Sequence, residues 1–181
     1  DWKDVNLSKE SQGVRPHLKT DSIQYNVIQT LVRQDYDIVY DDDNAGEIAD
    51  VITLKLVENE IHVELYHLKF AHEGKITSQI VNFYEVCGQA QKSANWKYKE
   101  PEEMLNHLLR REVKKNKNGD ECSRIYKGTH DKLVELMKLA KRKLPVKYSV
   151  FIVQPGVSKD TASDEILSLL GVTDSFLKDC T

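Results

Sequence analysis

The sequence predicts an α/β domain built on a mixed central sheet flanked by helices. Strand patterns at Ile48–Val57 and Ile61–Phe70 lie three residues apart and form a hairpin. A further strand pattern returns at Tyr148–Val153, and helical periods of apolar residues lie before, between and after these runs. At 181 residues and 40% hydrophobic content, the chain fits one domain with one core of ordinary size.

The polar opening, residues 1–20, reads as an extension or linker ahead of a single domain over 21–181. Asp21-Ser22-Ile23-Gln24 has capping-box spacing with Asp at the cap. Ile23, Val27, Ile28 and Leu31 then recur at helical spacing, which predicts a helix from Ser22 to Arg33. Tyr36–Tyr40 alternates and is rich in strand formers, and the acidic turn Asp41-Asp42-Asp43-Asn44-Ala45-Gly46 ends it. The hairpin follows, turning at Glu58-Asn59. From Ile76 the period is helical, with Ile76, Ile80, Phe83, Tyr84, Cys87 and Gln91 on one face as far as Ala94.

A helical basic insertion is expected over 97–145. Its first helix runs from Pro101, at the first-turn position where a missing N–H costs least, to Lys115. After a loop over Asn116–Gly128, a second helix runs from Thr129 to Lys143, and Pro145 breaks it. Tyr148–Val153 reads as a buried strand. Two short helices, Ser163–Leu170 and Thr173–Lys178, close the chain.

No apolar run approaches the ~18 residues of a membrane span, and Asp1-Trp2-Lys3-Asp4 lacks the basic and apolar regions of a signal peptide. A cytoplasmic protein with no membrane partner is expected. The missing initiator Met and the polar opening suggest a piece of a longer polypeptide. Cys87, Cys122 and Cys180 are too scattered for a disulfide framework or a metal knuckle, and Cys87 reads as core. The net charge of −3 conceals an asymmetry, because residues 91–150 hold 16 Lys or Arg against 8 Asp or Glu. A basic lobe beside an acidic site suits a polyanion ligand, since cations track phosphates and carboxylates hold metal. Solvated helix faces are the simpler account of the same composition.

The hairpin carries the chemistry. With Glu58-Asn59 as a two-residue turn, Val57 lies opposite Glu60 and Asp50 faces His67. Ile52 then opposes Leu65, Leu54 opposes Val63 and Leu56 opposes Ile61, so one face is apolar until its open end, which holds Asp50, His67 and Lys69. Directly opposed residues have Cβ atoms about 4.5–5.5 Å apart, so the three polar groups converge. Two readings fit. One is an Asp50–Lys69 ion pair at the sheet rim with His67 hydrogen-bonded beside it. The other is a site that binds a divalent cation and stabilises phosphoryl charge. His62, His72, His107 and His130 are scattered and read as rim or surface residues.

Asp50 on one hairpin strand and His67-Leu68-Lys69 on the next resemble the paired elements of the PD-(D/E)xK nucleases. The helix Ser22–Arg33 and the later helix with Val81-Asn82-Phe83-Tyr84-Glu85-Val86-Cys87-Gly88-Gln89 sit where those nucleases place theirs. The resemblance is nearest to the Mrr and RecB-like branches and covers Asp21–Ala94 plus Tyr148–Val153. With YHLKFA, YEVCGQAQ and FIVQPG, the chain also resembles the nuclease-like domains appended to bacterial helicases of restriction and phage-defence systems. It implies a restriction-endonuclease-like fold, a divalent cation (Mg or Mn), DNA as substrate and a helicase or ATPase module as partner. Asp50 is implied as metal ligand, His67 as second ligand or water-positioning group, and Lys69 as the cation that orients the nucleophile.

This sequence departs from the family pattern in three places. His67 stands where an acid is usual, Gln24 stands where a first-helix Glu is common, and Gln79 and Phe83 do not match the RecB-like QxxxY motif. Glu47 or Glu64 could supply a missing carboxylate, although the parity of Glu64 points it to the opposite face. Gln89 is placed on the helix side of the cleft. An imidazole ligand favours manganese over magnesium. Arg110, Arg111, Lys114, Lys115, Lys141, Arg142 and Lys143 are the expected contacts to nucleic acid. The competing expectations are a catalytically weakened nucleic-acid-binding domain of the same fold and a protein-interaction domain.

Overall fold

A computed structural model describes residues 2–75, 80–158, 160 and 162–180. Its elements run α1 (Ile23–Val32), β1 (Ile38–Asp41), β2 (Val51–Val57), β3 (Glu60–Leu68), α2 (Val81–Ser93), α3 (Pro101–Arg111), β4 (Ile125–Lys127), α4 (His130–Lys141), β5 (Val146–Val153) and α5 (Asp164–Cys180). The sheet has the order β4-β1-β2-β3-β5. It is mixed, with β5 parallel to β3 and every other pairing antiparallel. An α/β domain with a five-stranded mixed sheet flanked by helices is therefore observed.

The hairpin has the expected register, with Val57 opposite Glu60, Leu56 opposite Ile61, Leu54 opposite Val63 and Ile52 opposite Leu65. Alternation along the strands divides the core in two. Ile38, Tyr40, Ile52, Leu54, Val63 and Leu65 face Met104, Leu105 and Leu108 of α3 and Leu133 and Leu136 of α4. Val39, Val51 and Leu68 point the other way, onto Ile23, Val27, Ile28 and Leu31 of α1. α2 packs on β3 and β5, and α5 packs on α2.

Several elements differ from expectation for identifiable reasons. The cap of α1 is Ser22, whose Oγ accepts from the Tyr25 amide at 3.2 Å, while Asp21 pairs with Lys9 at 2.6 Å. That frees the Gln24 side chain for the interior. On α2 the buried residues are Phe83, Val86, Cys87, Ala90 and Ser93, while Tyr84 is exposed. Ile76 and Gln79 lie outside the described residues. α3 stops at Arg111 because Glu112 turns extended and its carboxylate accepts from the Ser123 hydroxyl and the Arg124 amide. The stretch read as a loop contains β4, too short at three residues to give a period. The two closing helices are one, α5, since Gly171 sits on an open helix surface where glycine is tolerated.

Residues ahead of α1, expected to be an extension or linker, are folded onto the domain. Ile23 and Gln24 donate their amides to the Lys9 and Glu10 carbonyls at 2.9 and 3.0 Å, and Gln12 is fully buried. Lys9 and Glu10 thereby satisfy N–H groups that the first turn of a helix leaves open. No helix among the described residues is long and apolar enough to cross a membrane.

Candidate functional site

The loop joining β1 to β2 is closed by the Asp42 amide donating to the Asp50 carbonyl at 3.1 Å, and it turns where Glu47 donates to the Asn44 carbonyl at 3.0 Å. Both Asn44 and Gly46 are left-handed, at φ 90° and 88°. This turn brings carboxylate oxygens of Asp43, Glu47 and Asp50 within 4.8 Å of one another. The Ser11 hydroxyl donates to Asp43, and the Leu68 amide donates to Asp50 Oδ2 at 2.8 Å.

Burial pushes the Asp50 carboxyl up to about 8. The Leu68 hydrogen bond opposes that shift, and the charges of Glu47, Asp43 and Glu10 add to it. Glu47 is raised as well, by burial first and by Asp43 next. Three crowded oxygen donors, two of which, Glu47 and Asp50, hold their protons more tightly than usual, are a donor set suited to a hard divalent cation, which can take the place of those protons.

The other two hairpin residues have their own partners. Lys69 is 6% exposed, and its ammonium lies 2.8 Å from Glu85 of α2 and 3.4 Å from Glu10. Burial acts to lower its pKa, but the two carboxylates outweigh burial and hold it above the ordinary value. The ion pairs of Lys69 among the described residues are therefore to Glu10 and Glu85, so the Asp50–Lys69 rim pair is replaced by a different pairing.

His67 is buried, and its pKa falls to about 4, which leaves the ring neutral. Its Nε2 lies 3.0 Å from Ser93 Oγ, and the Ser93 hydroxyl donates to the Ala90 carbonyl at 2.7 Å. With its one proton committed to Ala90, Ser93 accepts from His67, so Nε2 carries the hydrogen and Nδ1 is the unprotonated nitrogen. His67 does not belong to the carboxylate group. It lines an adjoining cleft of about 370 Å³ together with Glu47, Gln89, Lys92, Trp96 and Lys99.

The auxiliary residues separate clearly. Gln24 is buried beneath the loop, accepting from the Gln12 amide at 2.8 Å and donating to Asp41 at 2.9 Å and to the Asp50 carbonyl at 3.4 Å. Glu64 is held by the Tyr36 and Tyr66 hydroxyls, each at 2.6 Å, away from Asp50. The Oε1 of Gln89 is buried with no hydrogen-bond partner among the described residues.

Of the seven basic residues expected to bind nucleic acid, Arg110, Lys114, Lys115, Lys141, Arg142 and Lys143 are exposed. Lys143 also pairs with Glu100 at 3.2 Å. Arg111 does something else. It donates to the carbonyls of Asp42, Asp43, Asn44 and Ala45 at 2.7 to 3.3 Å, and its Nε makes an ionic contact of 2.6 Å with the fully buried Asp42 carboxylate. Arg124 adds bonds to the Asp41 and Asp43 carbonyls, both at 3.0 Å. A side chain at Gly46 would stand 3.2 Å from the Arg111 guanidinium. Arg111 is a staple of the acidic loop and is committed inward.

Sequence reasoning missed Glu10, Asp43 and Ser93. Asp43 was visible as part of an acidic run leading back to Asp50, whereas Glu10 and Ser93 are brought in by tertiary packing and carry no local signal. The chain matches no protein-family model, no curated protein and no solved structure.

Proposed function

We propose that the domain is a metal-dependent nuclease hydrolysing phosphodiester bonds in DNA, working within a larger helicase-linked restriction or phage-defence protein. The reading rests on one observation. Asp43, Glu47 and Asp50 gather their oxygens within 4.8 Å at the open end of the hairpin that also carries Lys69. Asp43, Glu47 and Asp50 would hold the cation, which supplies charge stabilisation at a phosphoryl oxygen and acidifies water. Lys69 offers its ammonium to the phosphate, and exposed Arg110, Lys114 and Lys115 bind the backbone. Because these donors are all oxygen and His67 lies outside their group, the imidazole argument for manganese over magnesium does not apply to this cluster, and both metals are expected to serve.

Plasmid nicking by wild type, Asp50→Ala and Lys69→Ala proteins, with magnesium or manganese, tests this reading. Cutting lost in both variants supports it, and cutting that survives both overturns it. One observation favours the weakened-domain alternative, namely that two carboxylates already neutralise Lys69. DNA binding with no cutting by any protein in either metal would establish that alternative.

A further inference from the structure

The two carboxylates on Lys69 are held very differently. Glu10 is anchored, since its Oε2 also accepts the Phe70 amide at 2.9 Å, and its backbone carbonyl accepts from Gln24. Its neighbours are tied down as well, Ser11 to Asp43 and Gln12 to Gln24, Asp41 and Tyr126. Among the described residues, Glu85 has no such framework. It projects from α2 with its side chain 57% exposed, yet it makes the shorter contact to the ammonium, at 2.8 Å. It belongs to a polar row on α2 that faces the end of β3. In that row Asn82 donates to the Phe70 carbonyl at 3.0 Å, Gln89 lines the cleft and Ser93 accepts from His67.

Of the two carboxylates on the buried ammonium, Glu10 is fixed and Glu85 is movable. An incoming anion takes the shorter of the two contacts by displacing the movable group. We infer that Glu85 is an anionic placeholder, whose carboxylate occupies on Lys69 the position that a phosphodiester oxygen of the nucleic acid takes, while Glu10 is the positioning residue that keeps the ammonium at the hairpin end. This inference rests on the nuclease reading, or its binding-only alternative, for the identity of the anion. The side chain of Glu85 can swing into solvent without breaking any backbone bond, so the site closes on itself when empty and opens on substrate.

The test is a double-mutant cycle on binding of a DNA oligonucleotide at low salt without divalent metal, which needs no cutting. Glu85→Gln is expected to tighten binding about tenfold, the worth of one charge-assisted hydrogen bond no longer competed for. The gain should vanish in the Lys69→Met background. Glu103→Gln, on an exposed carboxylate of α3, should change affinity by no more than about twofold, as screened surface charges do. A Glu85→Gln gain that persists without Lys69, or no gain at all in a wild type that binds DNA, overturns the placeholder. Failure of the wild type to bind DNA under any condition instead overturns the nucleic-acid reading on which it rests. Thermal unfolding of each variant separates these outcomes from loss of fold, and Glu85→Ala repeats the comparison with a different side chain.

Discussion

Asp50 and Leu68 meet just past the last paired residues of the β2–β3 hairpin, where the Leu68 amide donates to the Asp50 carboxylate at 2.8 Å. A side chain thus continues a ladder that the main chain has left. This hydrogen bond fixes one carboxylate oxygen inside the sheet, while burial and the charges of Glu47 and Asp43 raise the proton affinity of the group.

That arrangement predicts how stability depends on pH. Asp50 has a folded pKa of about 8 against 3.8 when exposed, so the native state retains a proton that the unfolded chain has lost. Its contribution is fully present below 3.8 and is lost as pH rises through 8. His67 acts in the opposite sense. Its folded pKa of about 4 lies below 6.5, so its contribution is present above 6.5 and lost as pH falls toward 4. Above pH 6.5 only the first slope remains. The metal-free protein should therefore lose a few kcal/mol between roughly pH 6.5 and 8.5, and Asp50→Asn should flatten that loss. Urea titrations across this range read it directly. A wild-type curve that stays flat would mean that Asp50 is ionised in the folded protein at neutral pH. Added manganese should raise the melting temperature more at pH 8 than at pH 6, because fewer protons then compete with the metal.

The hairpin face was readable because its logic is local. Parity and a two-residue turn set which residues oppose one another, and Ile52, Leu54, Val63 and Leu65 all lie where alternation puts them. The same parity put Asp50, His67 and Lys69 at one end. What the pattern could not supply was partner choice. Lys69 has Glu10 from a segment whose polarity reads as linker, and His67 has Ser93 from a helix 26 residues away. Arg111 misled for a related reason. On a basic helix end, an inward-turned guanidinium has the same sequence signature as an exposed one, and only the wrapping of the acidic loop around it distinguishes them.

Arg111 is accordingly expected to behave as a structural residue. Removing it leaves the fully buried Asp42 carboxylate, raised to about 6 by burial, without its ion-pair partner, and takes a donor from each of the carbonyls of residues 42–45. Arg111→Ala should cost about 3–5 kcal/mol at pH 7, as breaking one side of a buried pair does. Arg111→Lys should recover part of this, since a point charge cannot fork to several carbonyls. Chemical denaturation is the measurement. A cost below about 1 kcal/mol would show that the loop holds its shape without the guanidinium.

His67 gives a stereochemical prediction. Its Nε2–H donates to Ser93, a role that the amide of Gln can fill, so His67→Gln should cost less than about 1.5 kcal/mol. Glu has no donor at neutral pH and would bury a charge, so His67→Glu should cost roughly 3 kcal/mol or more, easing as pH falls and the carboxyl protonates. Equal stability of the two variants at pH 7 would mean that the pocket admits a cation or water beside residue 67. In that event, magnesium-dependent cutting by His67→Glu would identify position 67 as a ligand position.

The exposed basic residues make the last prediction. Arg110, Lys114 and Lys115 follow one another from the end of α3, and Lys141, Arg142 and Lys143 from the end of α4, each free of the staple that commits Arg111. If they track a phosphate backbone, the logarithm of affinity should fall linearly with the logarithm of salt, by about 0.9 per phosphate neutralised on duplex. Reversing the charge of the first cluster should reduce that slope by about 2 to 3 and leave sequence preference unchanged, because phosphate contacts carry affinity without readout. Lys143, already paired with Glu100 at 3.2 Å, should contribute least of the second cluster. Oligonucleotide binding measured from low to physiological salt decides the matter. An unchanged slope after both reversals, with the fold intact, would assign these residues to solvated helix ends.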